Sequence, residues 1–158
     1  MKEIKFAPEM LVAILLGKKQ QTRRIVKSLN GGEILGYGGD GLAMELEGEK
    51  LDEDGETVSL INTVPCPYGQ VGDVLNTPQL PCLKLKITEV RVERLQKITE
   101  QECLKEGTRT PVLHPCYRSE FKALWNAIYG YQAWDVNPFV WVISFECCTE
   151  NENGECNG

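Results

Sequence analysis

The clearest strand pattern in the chain reads LKLKITEVRVERL at residues 83–95. Apolar and charged residues alternate along it, which is the period of a β-strand with one buried face. The apolar residues occupy one face as far as Ile87 and the opposite face from Val90 onwards. Because one extra residue in a strand reverses the face that follows, we predict a bulge or a barrel corner near residues 88–89.

Other segments also have the composition of strands. Residues 139–145 are nearly all apolar or aromatic, which is typical of a central strand buried on both faces. Shorter apolar runs predict strands at residues 4–6, 25–26 and 74–75. The short lengths of these strands and the phase slip near residue 88 favour a small barrel over an open sheet.

Three segments predict short helices. Pro8 opens an apolar stripe at a spacing of 3.6 residues, at the first-turn position where proline is tolerated. Thr99 and Glu102 match a capping box for a second helix that ends at about residue 106. A third apolar stripe covers residues 118–129. We therefore predict an α+β fold: a small β-barrel of five to six strands with two to three short flanking helices.

The charge of the chain is unevenly distributed. Residues 30–64 hold nine acids, one base and eight of the 15 glycines, and the last 13 residues hold four acids and no base. Outside these two segments, 16 bases and 10 acids remain. The net charge of −6 therefore does not exclude a nucleic-acid partner, although acidic loops also simply aid solubility.

These composition shifts predict the domain organisation. One domain covers residues 1–146, and a polar flexible tail covers residues 147–158. Glycine this dense resists packing into regular elements. We therefore expect an exposed loop or hairpin insertion at residues 30–64, with short strands at 43–46 and 58–61.

Several sequence features bear on location and cofactors. No apolar run approaches the roughly 18 residues that span a bilayer, and the start lacks the apolar core of a signal peptide. The seven cysteines include no C-x-x-C pair, so free thiols are expected. His114 is the only histidine, and its spacing from the cysteines fits no standard zinc pattern. We expect a cytoplasmic protein with no membrane partner, metal or cofactor.

The most informative functional stretch reads GKKQQTRR at residues 17–24. A helix C-terminus favours cations, which accounts for Lys18 and Lys19 but not for Arg23 and Arg24, which lie further on. A cluster this dense is also typical of a phosphate-contacting patch. Phosphate or nucleotide binding and a solvated basic turn both remain open at this point.

Three residues suggest chemistry as well as binding. Lys19 and Thr22 are three apart in a turn-like segment, so their side chains could meet. A threonine hydroxyl needs a nearby base to become a nucleophile, and a buried lysine can serve as that base. Glu106 lies at the end of a short predicted helix, where the dipole disfavours a carboxylate and suits it to acid–base work. By spacing alone, a solvated lysine and an exposed glutamate are the simpler alternative.

The stretch GKKQQTRR resembles the G-x-K-x-x-T-x-R signature of ASCH domains, which belong to the PUA-like superfamily. The segments ITE at residues 98–100, EG at 106–107, PCPYG at 65–69 and WDVNPFVWV at 134–142 also resemble ASCH proteins of bacteriophages and prophages. The resemblance covers the chain except for the acidic insertion and the tail. The chain departs from that group after residue 75, where a Trp-containing strand and a longer loop are missing.

This resemblance implies a PUA-like barrel with a cleft between barrel and helices, in a bacterial or phage-infected cell. The family is associated with RNA binding, and one branch hydrolyses the amide of N4-acetylcytidine with a lysine, a threonine and a glutamate. In this chain Thr22 would be the nucleophile, Lys19 would activate it, and Glu106 would pass the proton to the leaving amine. The other bases are the predicted substrate-binding residues: Lys18, Arg23 and Arg24. A non-catalytic RNA- or nucleotide-binding module and a ribonuclease remain alternatives.

Overall fold

A computed structural model describes residues 2–108, 116–150 and 156–157. Within these residues the helices are α1 (Pro8–Leu15), α2 (Glu100–Lys105), α3 (Tyr117–Tyr129) and α4 (Ala133–Val136), with a 3-10 turn at Leu95–Lys97. The strands are β1 (Gln21–Ile25), β2 (Ile34–Gly39), β3 (Leu42–Leu51), β4 (Thr57–Pro65), β5 (Val74–Asn76), β6 (Lys84–Arg94), β7 (Phe139–Glu150) and β8 (Cys156–Asn157).

The strands form two antiparallel sheets. The larger sheet has the order β1-β7-β6-β5, with β8 paired to β7, and it curls into a half-barrel. The second sheet is the meander β2-β3-β4. The α+β class is therefore confirmed, with more strands than expected because the insertion forms a sheet of its own.

The bulge predicted in the longest strand pattern is confirmed. Strand β6 pairs with β7, and the register shifts between Ile87, opposite Phe145, and Glu89, opposite Ser144. Side chains on both sides of this shift are buried in the same apolar cluster, including Ile87 and Val90. The bulge thus keeps β6 facing inward while the strand bends.

Strand β7 separates two apolar cores, as its two-sided pattern predicts. Trp141 and Ile143 lie in the cluster inside the curled sheet. Val140 and Val142 lie in a second cluster beneath α2, α3 and α4. Because successive side chains of a strand point to opposite faces, one strand supports both the barrel interior and the helical layer.

The acidic insertion contains the expected hairpin, because the strands predicted at 43–46 and 58–61 lie within β3 and β4, but the hairpin is longer and is joined by β2. Strands β3 and β4 pair along nearly their whole lengths, and β2 adds a third strand. Ala43 and Val64 are buried in the main core, and the Tyr37 hydroxyl donates to the backbone oxygen of Val90 at 3.3 Å. A sheet forms here because one face of the meander packs against β6, which offsets the conformational cost of its glycines.

Three smaller expectations also changed. Residues 4–6 form no strand, although the backbone N–H of Ile4 donates to the oxygen of Asn76 at 2.9 Å. The basic segment is extended from Gln21 onwards instead of turn-like. The tail expected from residue 147 begins as a continuation of β7, and β8 pairs with it.

The described helices and cysteines bear on two other expectations. No helix among the described residues has the length and apolar character to cross a bilayer. Free thiols are present at Cys66, Cys82, Cys103, Cys116 and Cys147. Cys148 is instead disulfide-bonded, so the expectation of free thiols is wrong there, where the pairing of β7 with β8 returns the chain beside it.

A buried carboxylate holds the loop between β1 and β2. Glu45 lies on β3, and its Oε1 accepts hydrogen bonds from Ser28 Oγ and from the backbone N–H groups of Asn30 (3.2 Å) and Gly32 (3.0 Å). The hydrogen bond from Ser28 is the main cause that lowers the pKa of Glu45. The ionised carboxylate is therefore the form that the fold stabilises.

Replacing Glu45 by glutamine should reduce the loss of stability in acid. Because the folded state lowers the pKa of Glu45, its carboxylate stabilises the fold above the ordinary glutamate pKa of about 4.3. That stabilisation is lost as the pH falls through the lower pKa of the folded state. Urea unfolding from about pH 7 to about pH 3 should show a shallower decline for Glu45→Gln than for the unmodified chain.

A matched control is Glu47→Gln, which changes an exposed glutamate on the same strand. It should keep the pH dependence of the unmodified chain. A Glu45→Gln variant with an unchanged pH dependence would show that this carboxylate does not hold the loop.

Candidate functional site

A cleft of about 180 Å³ lies beside β1, which is an edge strand of the large sheet. Its lining includes Phe6 just before α1, Met10 in α1, and Trp125 and Tyr129 of α3. It also includes the residues that the sequence singled out: Lys19, Thr22, Arg23, Arg24 and Glu106.

Lys19 and Glu106 form a buried ion pair. Nζ of Lys19 donates to Oε2 of Glu106 at 3.0 Å and to its backbone oxygen at 2.8 Å. The two residues are 5% and 4% exposed. Burial lowers the pKa of Lys19 below its ordinary 10.5, although the Glu106 carboxylate acts in the opposite direction. This lysine therefore gives up its proton more readily than a solvated one.

Local structure brings this pair together. The capping box of Thr99 and Glu102 is present and starts α2, as predicted. The backbone N–H of Gln20 donates to the oxygen of Lys105 at 2.7 Å, and Lys19 forms a β-bridge with Glu106. The end of α2 is thereby fixed against the start of β1.

Thr22 is buried in β1 and lines the same cleft. Its Oγ1 accepts a hydrogen bond from Nε of Arg24 at 3.3 Å. Within the described residues, both hydrogen bonds of Lys19 Nζ go to Glu106 and not to Thr22. The structure thus brings Lys19, Thr22 and Glu106 to one cleft, while their catalytic roles stay a prediction.

Arg23 is the centre of a buried charge network. Its Nη1 donates to Glu106 at 2.9 Å and to Gln21 at 2.7 Å. Its Nη2 donates to Glu93 at 2.8 Å and to Glu102 at 2.9 Å. Both terminal nitrogens are therefore bonded to protein partners, which gives Arg23 a positioning role that the basic cluster alone does not predict. The sequence signal for this role was the group of acids at residues 93, 102 and 106, which can pair with a buried base.

The other two predicted substrate-binding bases lie in different places. Arg24 lines the cleft, and its Nη2 donates to the backbone oxygen of Lys5 at 2.7 Å. Its guanidinium lies 5.1 Å from the ring centre of Phe6. Lys18 is exposed and does not line the cleft. Of the three predicted substrate-binding bases, Arg24 is thus the one that both lines the cleft and stays partly exposed.

Aromatic residues of α3 contribute both to the core and to the lining of the cleft. Trp125 does pack in the helical core, but it also lines the cleft. Its ring centre is 4.2 Å from that of Tyr129, which is 42% exposed. An aromatic surface of this kind can stack a nucleobase.

His114, whose spacing from the cysteines was compared with zinc patterns, lies outside the described residues. Within the described part of the chain, no three histidine, cysteine or acidic side chains are grouped to hold a metal ion. Comparison of the chain with protein-family models, with curated proteins and with solved structures finds no match.

Replacing Gly107 by alanine should destabilise the fold by more than about 1–2 kcal/mol, the cost of a left-handed backbone conformation alone. Gly107 has φ +89°, and a Cβ there would lie 3.1 Å from the Cβ of Lys19. The variant must therefore strain the backbone and also displace the buried lysine. Urea unfolding measures the change.

Gly17→Ala provides the control for backbone strain alone. Gly17 also has a positive φ, +72°, but no atom lies within 4 Å of the position of its Cβ. Equal losses of stability in the two variants would show that the close approach to Lys19 has no cost.

Removing Arg23 should destabilise the protein by about 3–5 kcal/mol, because it removes four hydrogen bonds from a buried network and leaves Oε1 of the buried Glu106 without its partner. Arg23→Met is the test variant, and Arg91→Met is its control. Arg91 also bonds Glu93 and Glu102, but it is 24% exposed and does not reach Glu106. Its loss should cost only about 0–1 kcal/mol. Similar unfolding free energies for both variants would contradict a special role for Arg23.

Proposed function

We propose that the cleft binds an N4-acylated cytidine and hydrolyses its amide, within a PUA-like barrel of the ASCH type that handles RNA or modified nucleosides. One observation carries this proposal: the buried Lys19–Glu106 pair lies in the same cleft as the buried hydroxyl of Thr22. A buried lysine beside a carboxylate has the acid–base properties that activation of a threonine requires.

The first half of the reaction transfers the acyl group to Thr22. Oγ1 of Thr22 attacks the acyl carbonyl carbon, and Nζ of Lys19 takes the hydroxyl proton. The proton moves to Glu106 across their 3.0 Å contact. Glu106 then gives it to N4 as the bond between N4 and the acyl carbon breaks, which releases cytidine and leaves Thr22 as an ester.

The second half restores the threonine. A water molecule attacks the ester carbonyl and gives a proton to Lys19, and the bond to Oγ1 breaks. The acyl group leaves as a carboxylic acid, and Thr22 recovers its proton. The sum is the addition of one water molecule across the amide bond, so no further reactant is needed.

Two features of the cleft suit a nucleoside. The ring pair of Trp125 and Tyr129 offers an apolar wall for a flat base. Arg24 offers its guanidinium to sugar or phosphate oxygens near Lys5, which is exposed. Arg23 fixes the second carboxylate oxygen of Glu106, so the acid–base group is held in one orientation.

A second candidate function is RNA or nucleotide binding without turnover. The observation that favours it is the combination of Arg24 with the partly exposed Tyr129, because base stacking and phosphate contact need no catalytic group. RNA binding that weakens steeply as salt rises, with no release of cytidine from any acylated nucleoside, would favour this function.

The purified protein should release cytidine from N4-acetylcytidine, as followed by liquid chromatography. Thr22→Ala and Lys19→Ala should each lower kcat/KM by at least about 100-fold. Because Lys19 acts as a neutral amine, kcat/KM should rise with pH around a midpoint below the ordinary lysine value of 10.5.

Lys27→Ala is the control for these variants, since Lys27 is exposed and does not line the cleft. It should retain full activity, and circular dichroism should show that all variants are folded. Turnover that persists in a folded Thr22→Ala variant would rule out the acyl-threonine route.

A further inference from the structure

Two residues that line the cleft each carry a buried donor without an acceptor among the described residues. These donors are Nε–H of Arg23 and Nε1–H of Trp125, and neither donates a hydrogen bond to any residue that the structure describes. Both residues line the cleft. Buried N–H groups are nearly always hydrogen-bonded in native proteins, and an unpaired one lowers stability. A bound ligand is one way in which such groups become satisfied.

In the described part of the chain, Nε–H of Arg23 is unpaired although both terminal nitrogens of the same guanidinium are hydrogen-bonded. The terminal nitrogens make four hydrogen bonds, to Gln21, Glu93, Glu102 and Glu106. These bonds hold the guanidinium rigidly, so the fifth N–H cannot turn towards another protein acceptor. Its direction is set before any ligand arrives.

The indole of Trp125 is also held in place. Its ring centre lies 4.2 Å from that of Tyr129 and 6.1 Å from that of Phe121, and the residue is 4% exposed. A packed ring of this kind keeps the direction of its N–H. The second unpaired donor is therefore as fixed as the first.

The two unpaired N–H groups need acceptor atoms, and the nearby carboxylate of Glu106 is already engaged. Both carboxylate oxygens of Glu106 already accept, one from Lys19 and one from Arg23. A ligand that bonds both unpaired N–H groups must therefore offer acceptor atoms to them.

We infer that the indole N–H of Trp125 and the Nε–H of Arg23 bind a carbonyl oxygen of the ligand. The choice of ligand rests on the proposed function, since an N4-acylated cytidine has two such oxygens, one on the ring and one on the acyl group. Trp125 and Arg23 thereby act as specificity-determining residues that select a carbonyl-bearing pyrimidine.

The indole resonance of Trp125 provides a direct test. In a ¹⁵N-labelled Thr22→Ala protein, which the proposed mechanism leaves inactive, this signal is assigned by its loss in an added Trp125→Phe substitution. Millimolar N4-acetylcytidine should move the indole proton downfield. Adenosine, which has no carbonyl oxygen, should not. An unmoved signal at saturating N4-acetylcytidine, or an equal shift with adenosine, would overturn the inference.

Cytidine separates the two carbonyl oxygens. A shift with cytidine as well as N4-acetylcytidine assigns the ring carbonyl, whereas a shift with N4-acetylcytidine alone assigns the acyl carbonyl; either result supports the inference. A shift in the absence of any turnover by the unmodified protein would refute the proposed hydrolysis but leave this binding site standing.

Affinity measurements in the same inactive Thr22→Ala background give a second check. Trp125→Phe keeps an aromatic ring at this position but removes the N–H donor, so it should weaken binding of N4-acetylcytidine by about five- to tenfold. Trp134→Phe is the control, because Trp134 lies in the same core but does not line the cleft. Equal affinities for the two variants would contradict a hydrogen bond from Trp125.

Discussion

The ion pair between Arg23 and Glu106 is the interaction on which the cleft depends. It joins the edge strand β1 to the end of α2 at 2.9 Å, and the same carboxylate holds Lys19 through its other oxygen. Removing charges from water is costly, and a buried pair is tolerated only where further hydrogen bonds complete it. Arg23 meets this condition with two more carboxylates. The side chains of Lys19 and Glu106 are thus held in place by this network of ion pairs.

The position of the cleft follows from the alternation of side chains along β1. Thr22 pairs with Ile143 and Arg23 with Val142, and those two residues of β7 belong to opposite cores. Thr22 is therefore expected on the face of the barrel interior and Arg23 on the face of the helices. Because β1 is an edge strand, a cleft beside it can be lined by residues from both faces. This arrangement brings a hydroxyl and a charge network together although they leave the strand in opposite directions.

Much of the fold could be predicted because its signals are local. The bulge in β6, the two-sided burial of β7 and the capping box of α2 each follow from residues close together in sequence. The meander from residue 34 to 65 was underestimated, since its glycines argue against regular structure and its packing partner β6 is distant. The buried role of Arg23 was missed for a similar reason, because a basic cluster in sequence does not reveal which of its members point inward.

The sequence by itself determined the helices α1, α2 and α3, the bulged strand β6, the two faces of the central strand β7, and the residues Lys19, Thr22 and Glu106 as a set worth testing. Periodicity and capping act over a few residues, so they can be interpreted without coordinates. Only the tertiary structure decided that Lys19 and Glu106, 87 residues apart, meet at 3.0 Å, and that Arg23 is buried while Lys18 is solvated. The physical reason is that burial and the pairing of charges depend on which distant segments pack together, and local sequence does not specify this.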